Sequence, residues 1–566
     1  MDTLDSLRHA LPSDGHPRRV AVIGAGSAGL GAAQELNSII NSEGKAVFET
    51  VVFERRPQVG GIWVNDDDAG ECKFHFDKSG KPYPVSVGRL WPPSPIYDGL
   101  RPNIAIDLMC FRDNTIKSDV LFPPRAVVQN YLDEFADRHN LKRQIRFETI
   151  VSSLRRIRHD ESQAKLGRGS AWQLTSRNLQ TGKVSEEEYE HVVLASGKCN
   201  VPSVPTIPGL WLWRGQLLHS SFYRTPTVFR NKSVLVIGNN SSGMDVAREL
   251  HGKCVRKFPG VDEWVADATA DPPRTGVKVR QSVEDVNRPP QMDYNPKDPD
   301  SPEWSRRIEV VPKIVRVEAP PSGSDKAGIV ILEDGTRLDD VDVIVFATGF
   351  LYDLPFLDQS TAPFSERPML KSASATESDE AEQASLQSYF DGGDQPYTPL
   401  YDMAPHLSNL DSWHLFYEPD PSISILGVFG NIVPFPFAHM QARFVANFWA
   451  GRAEPLPRLR VDVPLADPTR WTSIVSDSDP ITEAPYTRFP HKIGFPSDWE
   501  YLDELVRRIP GGGERPPWQG KGEEEEGLTD GRGGGKRGVE GNFITPFWRK
   551  ERGPWGRTLR REELGY

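Results

Sequence analysis

Two runs of uninterrupted apolar residues, VAVI at 20–23 and VLVI at 234–237, each lead into a glycine-rich turn and then a segment with apolar residues at helical spacing. A run that is apolar at every position predicts a strand covered on both faces, as in a parallel sheet. Residues 18–63 read as strand (RRVAVIG), turn and helix (AGSAGLGAAQELNSI), strand (AVFETVVFERR) and a closing GGIW, which together form a βαβ unit. A loop rich in Pro, Gly and Asp is expected over 64–125, a helix over 131–141, and strands over 145–157, 171–176 and 191–197. The prolines of NVPSVPTIPG at 200–209 predict a crossing to a second unit. That unit starts at Ser233 and closes with the strand and glycine turn of DDVDVIVFATGF at 339–350, after which the chain returns to the first unit. Segments 259–305, 366–397 and 510–541 are expected to bury little apolar surface and to act as flexible insertions or loops.

With 566 residues, 37% of them hydrophobic, the chain can fill more than one core. A net charge of -12 gives no overall footprint for nucleic acid. Cys72, Cys110, Cys199 and Cys254 are scattered, which predicts buried free thiols and neither a disulfide framework nor a metal site. The first 19 residues lack the apolar centre of a secretory signal. The longest apolar stretch, 425–440, is interrupted by Pro434 and Pro436, so no membrane span is expected. A cytoplasmic location follows as the expectation, and the sequence leaves a homodimer open.

The first turn carries Gly24-Ala25-Gly26-Ser27-Ala28-Gly29. Gly24 permits the bend, Gly26 lets backbone approach a pyrophosphate, and Gly29 lets helix and strand pack closely. Free N–H groups and the helix dipole would hold the phosphate there. Glu54, at the end of the next strand, is placed to accept from ribose hydroxyls. The second turn carries Gly238, Asn240, Ser241, Ser242, Gly243, Met244 and Asp245. Asn240 replaces the middle glycine and would crowd a close approach, while Ser242, Gly243 and Asp245 are expected at a pyrophosphate. A cation selecting a 2′-phosphate is sought after the following strand, with Arg256, Lys257, Lys278 and Arg280 as candidates.

Between the turns lies WRGQLLHSSFY at 213–223. It matches F-x-G-x-x-x-H-x-x-x-(Y/F) at Trp213, Gly215, His219 and Tyr223. With Gly60, Gly61 and Trp63, YDGLRPNIAIDLMCF at 97–111, FATGF at 346–350 and HMQARF at 439–444, the chain resembles the flavin-containing monooxygenases, most closely their soluble fungal, yeast-type branch. Pro102 for Thr and Ala105 for Pro are the departures within 97–111.

The resemblance implies an α/β fold of two dinucleotide-binding, Rossmann-like domains, with an NADPH domain inserted into a discontinuous FAD domain. The divisions expected are 1–212 and 346–566 for FAD and 213–345 for NADPH with its linker. It also implies that Ile62, Trp63, Pro102, Asn103, Ile104 and Gln441 lie at the cofactors, and that Asn103 is the catalytic residue, steadying a C4a-hydroperoxyflavin that oxygenates a soft nitrogen or sulfur nucleophile. The cofactors would be FAD and NADPH, and the partners a small-molecule substrate and O2. His219 is expected to fix the linker. Two rival readings are a Baeyer–Villiger monooxygenase acting on a ketone and a non-catalytic dinucleotide-binding protein.

Overall fold

The computed structural model describes residues 16–111, 114, 116, 118, 120–157, 172–251, 276–287, 294–370, 380–399, 403–430, 432–456, 497–510 and 560. Its frame is two five-stranded parallel sheets. The first takes β1 (Arg18–Ile23), β2 (Phe48–Phe53), β3 (Ile145–Arg146), β4 (His191–Leu194) and β10 (Ile423–Ile425) in the order β10-β4-β1-β2-β3. The second takes β5 (Gln216–His219), β6 (Ser233–Ile237), β7 (Lys278–Ser282), β8 (Glu309–Val311) and β9 (Val343–Phe346) in the order β5-β9-β6-β7-β8. The second sheet lies wholly between β4 and β10 in the chain, so one Rossmann-type unit is inserted into another.

The uninterrupted apolar runs are buried on both faces, as their pattern requires. Val20, Ala21 and Val22 of β1 and Val234, Leu235 and Val236 of β6 are all 0% exposed. Burying each of the larger side chains contributes about 1.5–3 kcal/mol over leaving it in water. Helix α1 (Ser27–Ser38) packs its small-residue face on α5 (Pro434–Trp449). A Cβ on Gly31 would stand 3.4 Å from the His439 Cα, so the two helices meet almost backbone to backbone. Pro434 opens α5 at a position where its missing N–H costs nothing.

Several expectations need correction. The helix read at 131–141 is α2 (Arg125–Arg138), because Val127 and Val128 extend its apolar face back to Pro124. The loop expected over 64–125 contains an antiparallel pair, Cys72–Phe76 with Pro82–Ser86. Within 259–305, β7 is a core strand whose Val279 is 2% exposed. Within 366–397, helix α4 (Glu380–Asp391) turns Leu386, Tyr389 and Phe390 onto a core containing Phe76 and Trp211. In both segments a few apolar residues at the right period outweigh a polar average. Cys110 is buried, but Cys72 and Cys199 are only half-buried. Cys254 and the segment 511–541 lie outside the described residues.

Candidate active site

At the end of β1, Gly24 has φ +107°, and a Cβ there would lie 2.5 Å from the Ala195 carbonyl oxygen. A Cβ on Gly29 would lie 1.8 Å from the Gly24 carbonyl oxygen. Neither position tolerates a side chain without moving backbone. Gly26 has an ordinary extended conformation (φ -76°, ψ -171°), and a Cβ there would meet Gly61 at 3.4 Å, so the fold alone does not demand glycine at this position. Gly61, at φ +57°, would place its own Cβ 2.9 Å from the Gly26 Cα. The Gly60 N–H donates to the Ala25 carbonyl at 3.0 Å. The G-G of GG-x-W therefore stacks on the glycine turn.

This pair of backbones walls a cleft of about 300 Å³ lined by Gly24, Gly26, Ser27, Ala28, Ile62 and Trp63, among others. Helix α1 points its N-terminus into the cleft with no side-chain cap and no acidic residue in its first turn, which leaves oriented N–H groups for an anion. Glu54 lines the same cleft. Its carboxylate accepts from the N–H of Ala25 at 2.8 Å and of Arg56 at 2.9 Å, and each oxygen keeps a lone pair for a further donor. A flavin dinucleotide fits these groups: glycine backbone and helix N–H groups for its phosphates, and a strand-end carboxylate for its ribose. Sequence reasoning missed Lys198 and Asp353, which also line the cleft. Burial pushes the Asp353 carboxyl up to about 6. No motif covers either residue, since they arrive from the ends of separate strands.

The second turn repeats the steric rule. Gly238 has φ +103°, with a Cβ position 2.6 Å from the Ala347 carbonyl oxygen, and a Cβ on Gly243 would lie 2.2 Å from the Gly238 carbonyl oxygen. Asn240 occupies the middle position at φ -88°, ψ -177°, nearly the angles of Gly26, and its Oδ1 accepts from the Ser241 N–H at 2.9 Å. Asn is thus unstrained here and caps helix α3 (Ser241–Leu250). Ser241 and Ser242 are half-buried beside it.

Met244 and Asp245 depart from expectation. Both are 4% exposed, and their side chains turn inward, away from the turn. The Asp245 carboxylate accepts from the Tyr97 hydroxyl and pairs with Arg248 at 2.7 Å. Burial works against its charge, but Arg248 and Arg560 hold the carboxyl below its ordinary value. The sequence places Asp245 in the first helical turn, and only the packing reveals that it lies on the core side. Lys278 and Arg280 are corrected as well. Strand register pairs Lys278 with Ser233, Arg280 with Leu235 and Ser282 with Ile237, so Lys278 sits at the end of β7 remote from the turn and Arg280 at its middle. Both are engaged with Asp340, at 2.8 Å from Lys278 and 2.7 Å from Arg280. Arg256 and Lys257 lie outside the described residues. Val283 follows β7 where Glu54 follows β2, so no acid opposes a 2′-phosphate at that position.

In the linker 213–223, residues 218–223 are buried, whereas Arg214 and Gln216 are exposed. His219 is 0% exposed; its Nε2 donates to the Gly349 carbonyl at 3.0 Å and its Nδ1 accepts from the Ser221 N–H at 3.2 Å. Burial pushes the imidazole down to about 3, so a neutral ring ties β5 to the FATGF turn. Tyr223 donates to Glu249 at 2.8 Å. Arg224, missed in the sequence, donates to the carbonyls of Asp66, Ser94, Ser221 and Tyr223.

Pro102, Asn103, Ile104 and Gln441 stand apart from the lining of the cleft. Gln441 is 0% exposed and acts one step back. Its Oε1 accepts from the N–H of Gly427, a lining residue, at 3.0 Å, and its Nε2 donates to the Tyr501 hydroxyl at 3.0 Å. Asn103 is half-buried. Ile104 packs on the core of the first unit, and the Pro102 carbonyl accepts from Arg560 at 3.1 Å. Among the described residues no group of three His, Cys, Asp or Glu could hold a metal ion, and no helix is long and apolar enough to cross a membrane.

Comparison with known proteins agrees with this geometry. The model of the flavin-binding monooxygenase-like family matches residues 88–263 and 320–370. The chain is 27% identical over 514 residues to the flavin-containing monooxygenase FMO GS-OX-like 4 of Arabidopsis thaliana, covering 88% of this chain and 89% of that one. It is 26% identical over 443 residues to the thiol-specific monooxygenase of Saccharomyces cerevisiae, covering 76% of each. In fold it is similar to the S-allyl-L-cysteine S-oxygenase of Allium sativum, with a TM-score of 0.57 at 20% identity over 97% of this chain and 99% of that one. These matches and the two glycine cradles make the chain similar to the flavin-containing monooxygenases over most of its length, with a first cradle that fits FAD.

Proposed function

We propose that this protein is an NADPH- and O2-dependent monooxygenase that transfers one oxygen atom to a soft nitrogen or sulfur nucleophile of a small molecule, in the cytoplasm. The observation that carries the reading is the pair of sterically equivalent turns at the ends of two parallel sheets, joined by the linker 213–223, which is buried from Leu218 onward. The linker offers no acid–base pair of its own, because His219 is neutral and both its nitrogens are engaged. Bound flavin supplies the redox chemistry and the activation of O2. The chain's own work is to hold, orient and keep water out.

In this reading the backbone of Gly24–Gly29, with Glu54, Ile62 and Trp63, holds FAD, and the backbone of 238–243 holds NADPH. Residues 1–212 and 346–566 form the FAD domain, and 213–345 the NADPH domain. Asn103, a neutral group able to donate and accept, steadies the oxygenating state. Sulfur is favoured over nitrogen because two similar proteins are named for thiol and S-oxygenation. Tyr223-Arg224 closes the linker where a Baeyer–Villiger fingerprint usually ends in Trp followed by Pro or Asp, which favours heteroatom oxygenation over ketone insertion.

The test is NADPH consumption by the holoenzyme against thiols, thioethers, amines and ketones, with H2O2 measured alongside. Sulfoxide or N-oxide formation matched to NADPH use is expected. Ester formation from ketones without sulfoxidation would overturn the reading, as would a bound flavin that NADPH never reduces.

A further inference from the structure

We propose that Arg560 is a positioning residue of the oxygenation site, tying the backbone that carries Asn103 to the helix that presents the second glycine turn. The inference deepens the proposed function and rests on it. Arg560 is 1% exposed although it lies 458 residues from Pro102 in the chain. Its Nε donates to the Pro102 carbonyl at 3.1 Å, and its Nη2 stands 3.6 Å from the Asp245 carboxylate.

The Pro102 carbonyl and the Asn103 N–H share one planar peptide, and the proline ring fixes the dihedral before it. Holding that oxygen therefore sets the plane from which Asn103 departs. At the other end, Asp245 is one turn into α3, whose first residue follows Asn240. Two further ties bind the same two elements. Tyr97, in the segment that carries Asn103, donates to Asp245. Gly99 lies so close to α3 that a Cβ there would be 2.2 Å from the Glu249 carboxylate. A buried guanidinium costs several kcal/mol in lost hydration and is retained where partners of fixed geometry meet it. Here its planar fork reaches one partner on each side of the junction.

When Asn103 is misplaced, NADPH, a proton and O2 yield NADP+ and H2O2, in place of NADP+, water and oxygenated substrate. Coupling is therefore the readout, measured on the full-length holoenzyme with a thiol substrate. Arg560→Ala is expected to bind flavin and accept hydride from NADPH within about threefold of the parent rate, while the share of NADPH ending as H2O2 rises about fivefold or more. Arg560→Lys keeps the buried charge beside Asp245 but cannot span both partners, so an intermediate leak is expected at the parent melting temperature. Parent-level coupling in either flavin-bound variant would overturn the proposal. Loss of flavin from both would also overturn it, by assigning Arg560 to the fold alone. If the unmutated protein fails to oxidise NADPH, the proposed function fails first, and that outcome is distinct from both.

Discussion

The two glycine turns share their backbone rule and differ in nearly everything around it. In both, the first glycine donates to the last residue of the neighbouring strand, Gly24 to Phe53 at 2.8 Å and Gly238 to Ser282 at 2.9 Å. In both, the last glycine lets the helix sit against the turn's own carbonyl. The first turn then has a second glycine backbone stacked on it, an acid at the strand end and an uncapped helix. The second has an asparagine cap, Val283 where the acid would be, and a helix whose buried face carries Asp245, Arg248 and Glu249. The first and third glycines are thus demanded by the fold, whereas the middle residue and the strand-end residue decide what is held.

The largest effects should come from the third glycine of each turn, and they should separate the two units. Gly29→Ala pushes a methyl to 1.8 Å and Gly243→Ala to 2.2 Å from a carbonyl oxygen, each costing about 3 kcal/mol or more. Gly29→Ala is expected to purify without flavin absorbance and with a lowered melting temperature. Gly243→Ala should keep its flavin, be reduced normally by dithionite, and be reduced by NADPH about 100-fold more slowly. A Gly243→Ala protein that also lost its flavin would erase the distinction between the units.

Next in size is Glu54→Gln. One carboxylate oxygen becomes an amide nitrogen that cannot accept from Ala25 or Arg56, a loss of about 1.5–3 kcal/mol for a charged hydrogen bond. Flavin affinity, read by titrating apoprotein, should fall roughly 10- to 100-fold, with NADPH affinity unmoved. Unchanged flavin affinity would remove Glu54 from the site.

The residues of these turns were legible because the rule is local: an apolar run, a bend, and glycines where carbonyls press close. Glu54 was legible for the same reason, being counted along one strand from the turn. Asp245 was not, because its side-chain direction depends on Tyr97 and Arg560, which arrive from opposite ends of the chain. Lys278 and Arg280 misled because spacing gives a strand but not which of its ends faces the ligand, and register supplied that. Strand β7 and helix α4 were lost in polar segments whose average concealed a few periodic apolar residues. Gln441 is legible in HMQARF, yet that match does not show that it works one step back, through Gly427, and Arg224 acts only through backbone carbonyls.

A smaller effect follows from the charges under the second helix. Burial pushes the Glu249 carboxyl up to about 8 from an ordinary 4.5. The unfolded chain releases this proton as pH passes 4.5 and the native state only near 8, so the stability due to the protonated group is complete below 4.5 and is lost as pH rises to 8. Glu249→Gln keeps an acceptor for Tyr223 and cannot ionise. Its melting temperature should fall less than the parent's between pH 6 and pH 8, roughly the upper half of the window in which the linkage acts. Equal slopes would mean that Glu249 is ionised in the native protein.

The smallest effect is expected at the position where the two turns differ most visibly. Asn240 already holds the angles that Gly26 holds, so Asn240→Gly relieves no strain and removes only the cap on Ser241. The cost to α3 is a few tenths of a kcal/mol, and NADPH affinity should change by about twofold or less. If glycine instead tightened NADPH by about tenfold, the Asn240 side chain would be obstructing the close approach that the first turn permits. The second turn would then be a compromised copy of the first. If affinity holds, the middle glycine is dispensable wherever the backbone is extended, and the two turns differ by ligand and not by quality.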